Sequence, residues 1–154
     1  MRAFAPEYIR NVVLVGPPGS GKTSLAEAML YRAGAVGRVG RVEDGSTVCD
    51  HEPEEKAAGH SLSTGLAMFE WEGHKVNLLD TPGTYDFAGE ALGGLAAADL
   101  AVFVIDASSG LDHSSVSLWR EASRRSLPRV LFINKLDREH ANFDSVLAEL
   151  QSAF

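Results

Sequence analysis

The chain has 154 residues, enough for one domain with a buried core, and its 45% hydrophobic and 23% charged residues describe an ordinary globular protein. A formal charge of −7 argues against broad electrostatic capture of nucleic acid, so no direct DNA binding is expected. The single cysteine, Cys49, cannot close an internal disulfide, and neither a membrane-length apolar run nor a signal-peptide core is present; the cytoplasm is the expected compartment, with no membrane partner.

Pro6 delays regular structure in the lead-in, and Val12-Val13-Leu14-Val15 is then a continuous apolar run. Without polar alternation, such a run predicts a strand buried on both faces, as in a parallel sheet. It stops at Gly16-Pro17-Pro18-Gly19-Ser20-Gly21-Lys22-Thr23, which fills every fixed position of the G-x-x-x-x-G-K-[ST] phosphate loop. Glycines let successive N–H groups wrap close around phosphates. Lys22 supplies a mobile positive charge for the β- and γ-phosphates, and the Thr23 hydroxyl is a ligand for Mg²⁺. The helix that follows, predicted over Lys22–Arg32 from Leu25, Ala28 and Met29, points its N-terminal N–H groups at the same anion. Gly34 is its expected left-handed cap.

From residue 34 to residue 59 no period survives, and Pro53 interrupts a stretch rich in Gly, Asp and Glu. A loop of that length is either functional or a disordered insertion. Leu62, Thr64, Leu66 and Met68 then alternate with Ser63, Gly65, Ala67 and Phe69 as in a strand. Glu72-Gly73 is a turn, and residues 76–79 form the return strand of an antiparallel hairpin that adds one edge strand to the sheet. Asp80-Thr81-Pro82-Gly83 follows directly. A helix is predicted over residues 88–97, although Gly89, Gly93 and Gly94 weaken it. Residues 100–105 form a further buried strand. Leu111, Val116 and Trp119 mark a helix that stops before Pro128. Residues 130–133 form a strand ending in Asn134-Lys135-Leu136-Asp137, and Phe143, Val146, Leu147 and Leu150 mark the last helix.

Strands alternating with helices predict an α/β fold, a three-layer α/β sandwich with a mostly parallel sheet and one antiparallel edge strand. Ligands of such sheets collect at the carboxyl ends of the strands. Three motifs fall there. At the second, the Asp80 carboxylate can steady Mg²⁺ through its water shell, and Gly83 can offer an N–H to a γ-phosphate present only before hydrolysis. At the third, a carboxylate such as Asp137 accepts two hydrogen bonds from the N1–H and exocyclic amine of guanine, a donor pair that adenine lacks. Lys135 can lay its aliphatic stem along the base. A kinase or ATPase with the same phosphate loop would leave Asn134-Lys135-Leu136-Asp137 without a purpose.

These three motifs resemble the first, third and fourth motifs of GTPases. Tyr8-Ile9-Arg10-Asn11, Leu30-Tyr31, Gly34, Asp86-Phe87, Ser117-Leu118-Trp119-Arg120 and Phe132-Ile133-Asn134-Lys135-Leu136-Asp137 are similar, more closely, to the GTP-binding domain of bacterial elongation factor G and its paralogues. The resemblance covers nearly the whole chain and implies a P-loop NTPase fold with GTP/GDP and Mg²⁺ as ligands. It further implies ribosomal action, in translocation or in remodelling, by the full-length protein. Residues 34–64 would be switch I and residues 80–94 switch II, segments that order around the γ-phosphate and relax after hydrolysis. The nucleotide-holding set carried over comprises Gly16, Pro17, Pro18, Gly19, Ser20, Gly21, Lys22, Thr23, Ser24, Asp80, Gly83, Asn134, Lys135 and Asp137. Thr23, Ser61 and Asp80 are the expected metal ligands, and Lys22, Gly83 and Thr84 the expected catalytic groups.

The departures concern hydrolysis. The family places a histidine after its D-x-P-G motif, where this chain has Thr84, whose hydroxyl cannot take the cationic role of an imidazole. It usually has aspartate where Gly19 stands, and an Arg-Gly-Ile-Thr run where this chain reads Ala58-Gly59-His60-Ser61. His60 therefore replaces an apolar gate residue. Slow or ribosome-dependent GTP hydrolysis is the leading expectation, and a GTP-dependent ribosome-associated factor with little or no hydrolysis the alternative. The family's fifth motif, a small loop backing the guanine, has no counterpart before Phe154. Residues 1–154 are therefore expected to be a GTP-binding domain incomplete at its C-terminus, without the later domains.

Overall fold

The computed structural model describes residues 3–50 and 52–154. Five strands, β1 (Ile9–Val15), β2 (Gly65–Trp71), β3 (His74–Asp80), β4 (Leu100–Asp106) and β5 (Arg129–Asn134), form one sheet in the order β2-β3-β1-β4-β5. β1, β3, β4 and β5 run parallel, and β2 alone is antiparallel, at one edge. Five helices complete the chain: α1 (Lys22–Arg32), α2 (Pro53–Ala58), α3 (Ala88–Ala97), α4 (His113–Arg124) and α5 (Phe143–Ala153).

Alternation along β1 divides the core. Val12 and Leu14 pack with Ala26 and Leu30 of α1 and with Leu78. Val13 and Val15 face the other way, onto Ala91 and Leu95 of α3, Ala122 of α4 and Phe103. Ile105, on the same side of β4 as Phe103, meets Val146 and Leu150 of α5. The result is the expected three-layer sandwich, helix on both faces of a sheet whose centre is dry. Burial of each Val or Leu at the centre contributes about 1.5–3 kcal/mol.

α1 and α3 have the predicted bounds, and Gly34 caps α1 at φ 74°, with Gly34 N–H bonded to Tyr31 O and Ala35 N–H to Leu30 O. Gly94 strengthens the α3 contact rather than weakening it. A Cβ there would stand 2.8 Å from Val13 Cγ2 and 3.0 Å from Thr81 Cγ2, so glycine permits the close approach of α3 to β1. α4 begins after Leu111, with Asp112 as its cap accepting from Ser115 N–H at 2.7 Å.

Two expectations need correction. Pro53 does not interrupt the long loop but opens α2, since a helix's first residue needs no N–H. Glu55 completes that start by accepting from the Glu52 amide at 3.3 Å. The hairpin strand begins at Gly65 rather than Leu62. The amides of Leu62 and Ser63 are committed to the Glu55 carboxylate and that of Thr64 to Glu90, so none is free for a ladder. β1, conversely, starts three residues before its apolar run. Asn11 and Asn77 pair across β1 and β3 through their side chains at 2.8 Å, a polar contact that alternation alone does not reveal.

Candidate nucleotide-binding site

β1, β3, β4 and β5 all end at one edge, which brings the three motif segments side by side. Residues 16–21 turn from β1 into α1. Within that turn Lys22 is buried, and its Nζ donates to Gly16 O and Pro17 O, each at 3.0 Å. Burial lowers its pKa to about 8, against the opposing pull of the Asp80, Asp112 and Asp50 carboxylates. At neutral pH the ammonium therefore keeps its proton. The Ser20 hydroxyl is buried without a hydrogen-bond partner.

Asp80 closes β3 with no exposed surface, and neither carboxylate oxygen has a hydrogen-bond partner. Desolvation lifts its pKa to about 6, while the nearby Thr23 hydroxyl and Lys22 ammonium act in the other direction. The Thr23 hydroxyl influences the carboxylate without meeting hydrogen-bond geometry. A bare buried carboxylate beside a threonine hydroxyl is a hard oxygen donor pair, and it fits a small divalent cation whose other ligands are water and phosphate. Among the described residues, no group of three or more His, Cys, Asp or Glu side chains is placed to hold a metal unaided. Thr81 anchors this segment to β1 by donating its hydroxyl to Leu14 O at 2.7 Å. Gly83 lies directly on the phosphate loop: a Cβ there would stand 2.5 Å from both Lys22 Nζ and Pro18 N. Thr84 follows, its hydroxyl buried and without a partner.

At the β5 end, Asn134 Nδ2 donates to Ser20 O at 2.9 Å, and Lys135 Nζ donates to Gly19 O. Both residues brace the phosphate loop from behind. Gly21 makes this possible: at φ 96° it lies in the left-handed region, and a Cβ would stand 2.4 Å from Asn134 Nδ2. Lys135 also pairs with Asp106 Oδ2 at 2.8 Å, and Arg138 Nη1 approaches the same oxygen at 3.8 Å. Burial pushes the Asp106 carboxyl upward, but bonds from Lys135, Ser108 Oγ and the Ser108 amide outweigh it and hold the pKa at about 2. Asp137 stands exposed on the turn beyond β5.

A cleft of about 320 Å³ runs over these parts. Of the residues singled out from the sequence, Pro18, Gly19, Gly21, Lys22, Thr23, Ser24, Ser61, Gly83, Thr84 and Lys135 line it. Gly16, Pro17 and Ser20 support it from the loop backbone, Asp80 lies beneath it, and Asn134 and Asp137 fall outside its lining. Thr23 and Asp80 are brought together as expected. Ser61 reaches the same cleft, but its hydroxyl is engaged in a 2.6 Å bond to Asp50 Oδ1.

Sequence reading missed three carboxylates that arrange the loop over residues 34–64. Asp50 is buried, lines the cleft, and holds Ser61 and, at 3.4 Å, the Thr47 hydroxyl. Glu27 of α1 is buried and accepts from Gly40 N–H at 3.0 Å and Val48 N–H at 2.5 Å. Glu55 accepts from Leu62 N–H at 3.0 Å, Ser63 N–H at 3.2 Å and Ser63 Oγ at 3.3 Å. Desolvation raises the Glu55 pKa, but these bonds prevail and hold it below the usual range. A fourth acid, Glu90 of α3, binds Thr64 through its amide at 2.9 Å and its hydroxyl at 2.7 Å. The described residues of this loop thus form a folded structure with α2 inside it.

Residues 7–154 match the family described as the elongation factor Tu GTP-binding domain. The chain is 47% identical over 152 residues to the "Elongation factor G-like protein" of Mycobacterium tuberculosis strain H37Rv, covering 99% of this chain and 21% of that protein. It is 39% identical over 151 residues to "Elongation factor G 2" of Streptomyces coelicolor, covering 98% of this chain and 22% of the relative. "Ribosome-releasing factor 2, mitochondrial" of Culex quinquefasciatus is 41% identical over 143 residues, or 93% of this chain and 19% of the relative. A crystal structure from Thermus thermophilus superposes with a TM-score of 0.89 at 44% identity, over 94% of this chain and 22% of that one. The chain thus spans about a fifth of the length of these relatives.

Proposed function

The chain belongs to the elongation factor Tu GTP-binding domain family, and on that premise we propose that its cleft binds GTP with Mg²⁺ and hydrolyses it slowly or in response to the ribosome. The observation that carries this reading is the bare, buried Asp80 carboxylate beside Lys22 and Thr23, at the mouth of a phosphate loop. Such a carboxylate is costly unless a cation offsets it.

In this reading the N–H groups of residues 16–21 and the Lys22 ammonium hold the phosphates, while Thr23, Asp80 and, once freed from Asp50, Ser61 hold Mg²⁺ or its water shell. Bound Mg²⁺ supplies charge neutralisation for the phosphate oxygens. Gly83 offers its amide at the γ-phosphate end. Asn134 and Lys135 keep the base loop in register with the phosphate loop, and Asp137 selects guanine by accepting from its N1–H and amine. Thr84, where elongation factor G carries histidine, accounts for slow turnover. Thr84→His is expected to raise phosphate release, and an unchanged rate would remove that assignment.

The cytoplasmic ribosome is the proposed partner of the full-length protein, in translocation or ribosome remodelling. Relatives with elongation and ribosome-releasing names support that class of work. Among the described residues, no helix is long and apolar enough to cross a membrane. Titration with labelled GTP and ATP tests the binding reading, which fails if ATP binds as tightly as GTP. Phosphate release by the full-length protein, with and without ribosomes, tests the rest: a rate indifferent to ribosomes would refute ribosomal activation.

A further inference from the structure

His60 and Thr84 come from different segments, the loop before β2 and the turn after β3, yet both line the cleft beside Lys22 and Gly83. His60 is exposed, and its Nδ1 stands 3.1 Å from the Ser61 carbonyl oxygen. A carbonyl oxygen only accepts, so this contact is a hydrogen bond when Nδ1 carries the ring proton. That tautomer leaves a lone pair on Nε2. The Thr84 hydroxyl is buried and has no partner, so the residue after Gly83 presents no polar side-chain atom to water in the cleft. His60 is the one imidazole among the described residues that line the cleft.

We propose that His60, from the loop before β2, positions the water that attacks the γ-phosphorus, its Nε2 accepting one water hydrogen. The inference rests on the reading of this cleft as a GTP site. In the step itself the water oxygen bonds to the γ-phosphorus, and the bond from that phosphorus to the β–γ bridging oxygen breaks. The electron pair leaves on GDP, and the water protons end on the released phosphate and in solvent. His60 orients the nucleophile and is unchanged at the end. That role explains how a chain with threonine after Asp80-Thr81-Pro82-Gly83 can still hold an attacking water: the imidazole comes from the loop before β2.

Single-turnover release of labelled γ-phosphate by this chain, beside a fluorescent-GTP titration, tests the idea. His60→Ala is expected to slow release about 10- to 100-fold while changing GTP affinity by less than about twofold, because orientation rather than binding is lost. His60→Gln, which retains an acceptor oxygen, is expected to fall between the two, and added imidazole to speed His60→Ala while leaving the wild-type rate unchanged. His60→Ala cleaving at the wild-type rate, or losing affinity and rate in parallel without rescue by imidazole, overturns the proposal. Wild-type protein that binds GTP but releases no phosphate overturns it too, and leaves the binding reading intact. Absence of GTP binding overturns both.

Discussion

Asp106 offers the sharpest test of how the β5 end of the cleft is held. Its carboxylate receives Lys135 at 2.8 Å, Ser108 Oγ at 2.6 Å and the Ser108 amide at 2.9 Å, and its pKa falls from 3.8 to about 2. That displacement corresponds to about 2 kcal/mol of folding stability carried by the ionised form, Arg138 adding little from its exposed position. Because the folded pKa is depressed, the contribution is complete above the unfolded value near ~4 and is lost as pH falls toward 2. Asp106→Asn keeps the shape and removes the charge. Urea unfolding is expected to show the variant about 2 kcal/mol less stable than wild type at pH 7, with the gap closing between about pH 4 and pH 2. Because Lys135 also leans on Gly19 O, the variant should bind GTP more weakly as well. A gap that persists undiminished at pH 2.5, or no gap at pH 7, would refute the assignment of this stability to the Asp106 charge.

Further outcomes follow from neighbouring contacts. Asp80→Asn should stabilise the nucleotide-free protein by about 3 kcal/mol at pH 7, because a carboxyl raised from 3.8 to about 6 costs folded-state stability as pH rises from about 4 through 6. The same variant should lose Mg²⁺-dependent GTP affinity; thermal melts with and without GTP and Mg²⁺ would read both effects, and a destabilised free protein would contradict the argument. Gly21→Ala combines a left-handed backbone with a 2.4 Å collision against Asn134 Nδ2, and should cost about 1–2 kcal/mol or more in a chemical melt and at least about tenfold in GTP affinity. Glu55→Ala strips the acceptor from Leu62, Ser63 and Glu52, and should cost about 1–3 kcal/mol while speeding proteolysis within residues 34–64. Unchanged cleavage of that loop would show that Glu55 does not hold it.

The parts legible in the sequence are those whose chemistry is local. A phosphate loop works only at one spacing, so residues 16–23 identify themselves, and the unbroken Val12-Val13-Leu14-Val15 run reports burial on both faces. Glu72-Gly73 likewise marks a turn that the structure builds with both residues at positive φ. The carboxylates that shape residues 34–64 act across the chain instead. Glu27 lies 13 and 21 positions from the amides it holds, and Glu90 lies 26 from Thr64. No periodicity encodes such partners, which is why neither α2 nor the role of Asp50 is visible in the sequence and why Pro53 reads there as a break. Gly94 shows the reverse error: helix propensity counts it as a weakness, whereas its missing Cβ is what admits Val13 and Thr81.

Gly83 rests on the phosphate loop with no room for a single added carbon. Beyond Gly83 the chain soon reaches Glu90, whose carboxylate grips Thr64 at the mouth of the hairpin. Through that one carboxylate α3, which follows the Gly83 turn, is fastened to the residue that opens onto β2, the sheet's outermost strand.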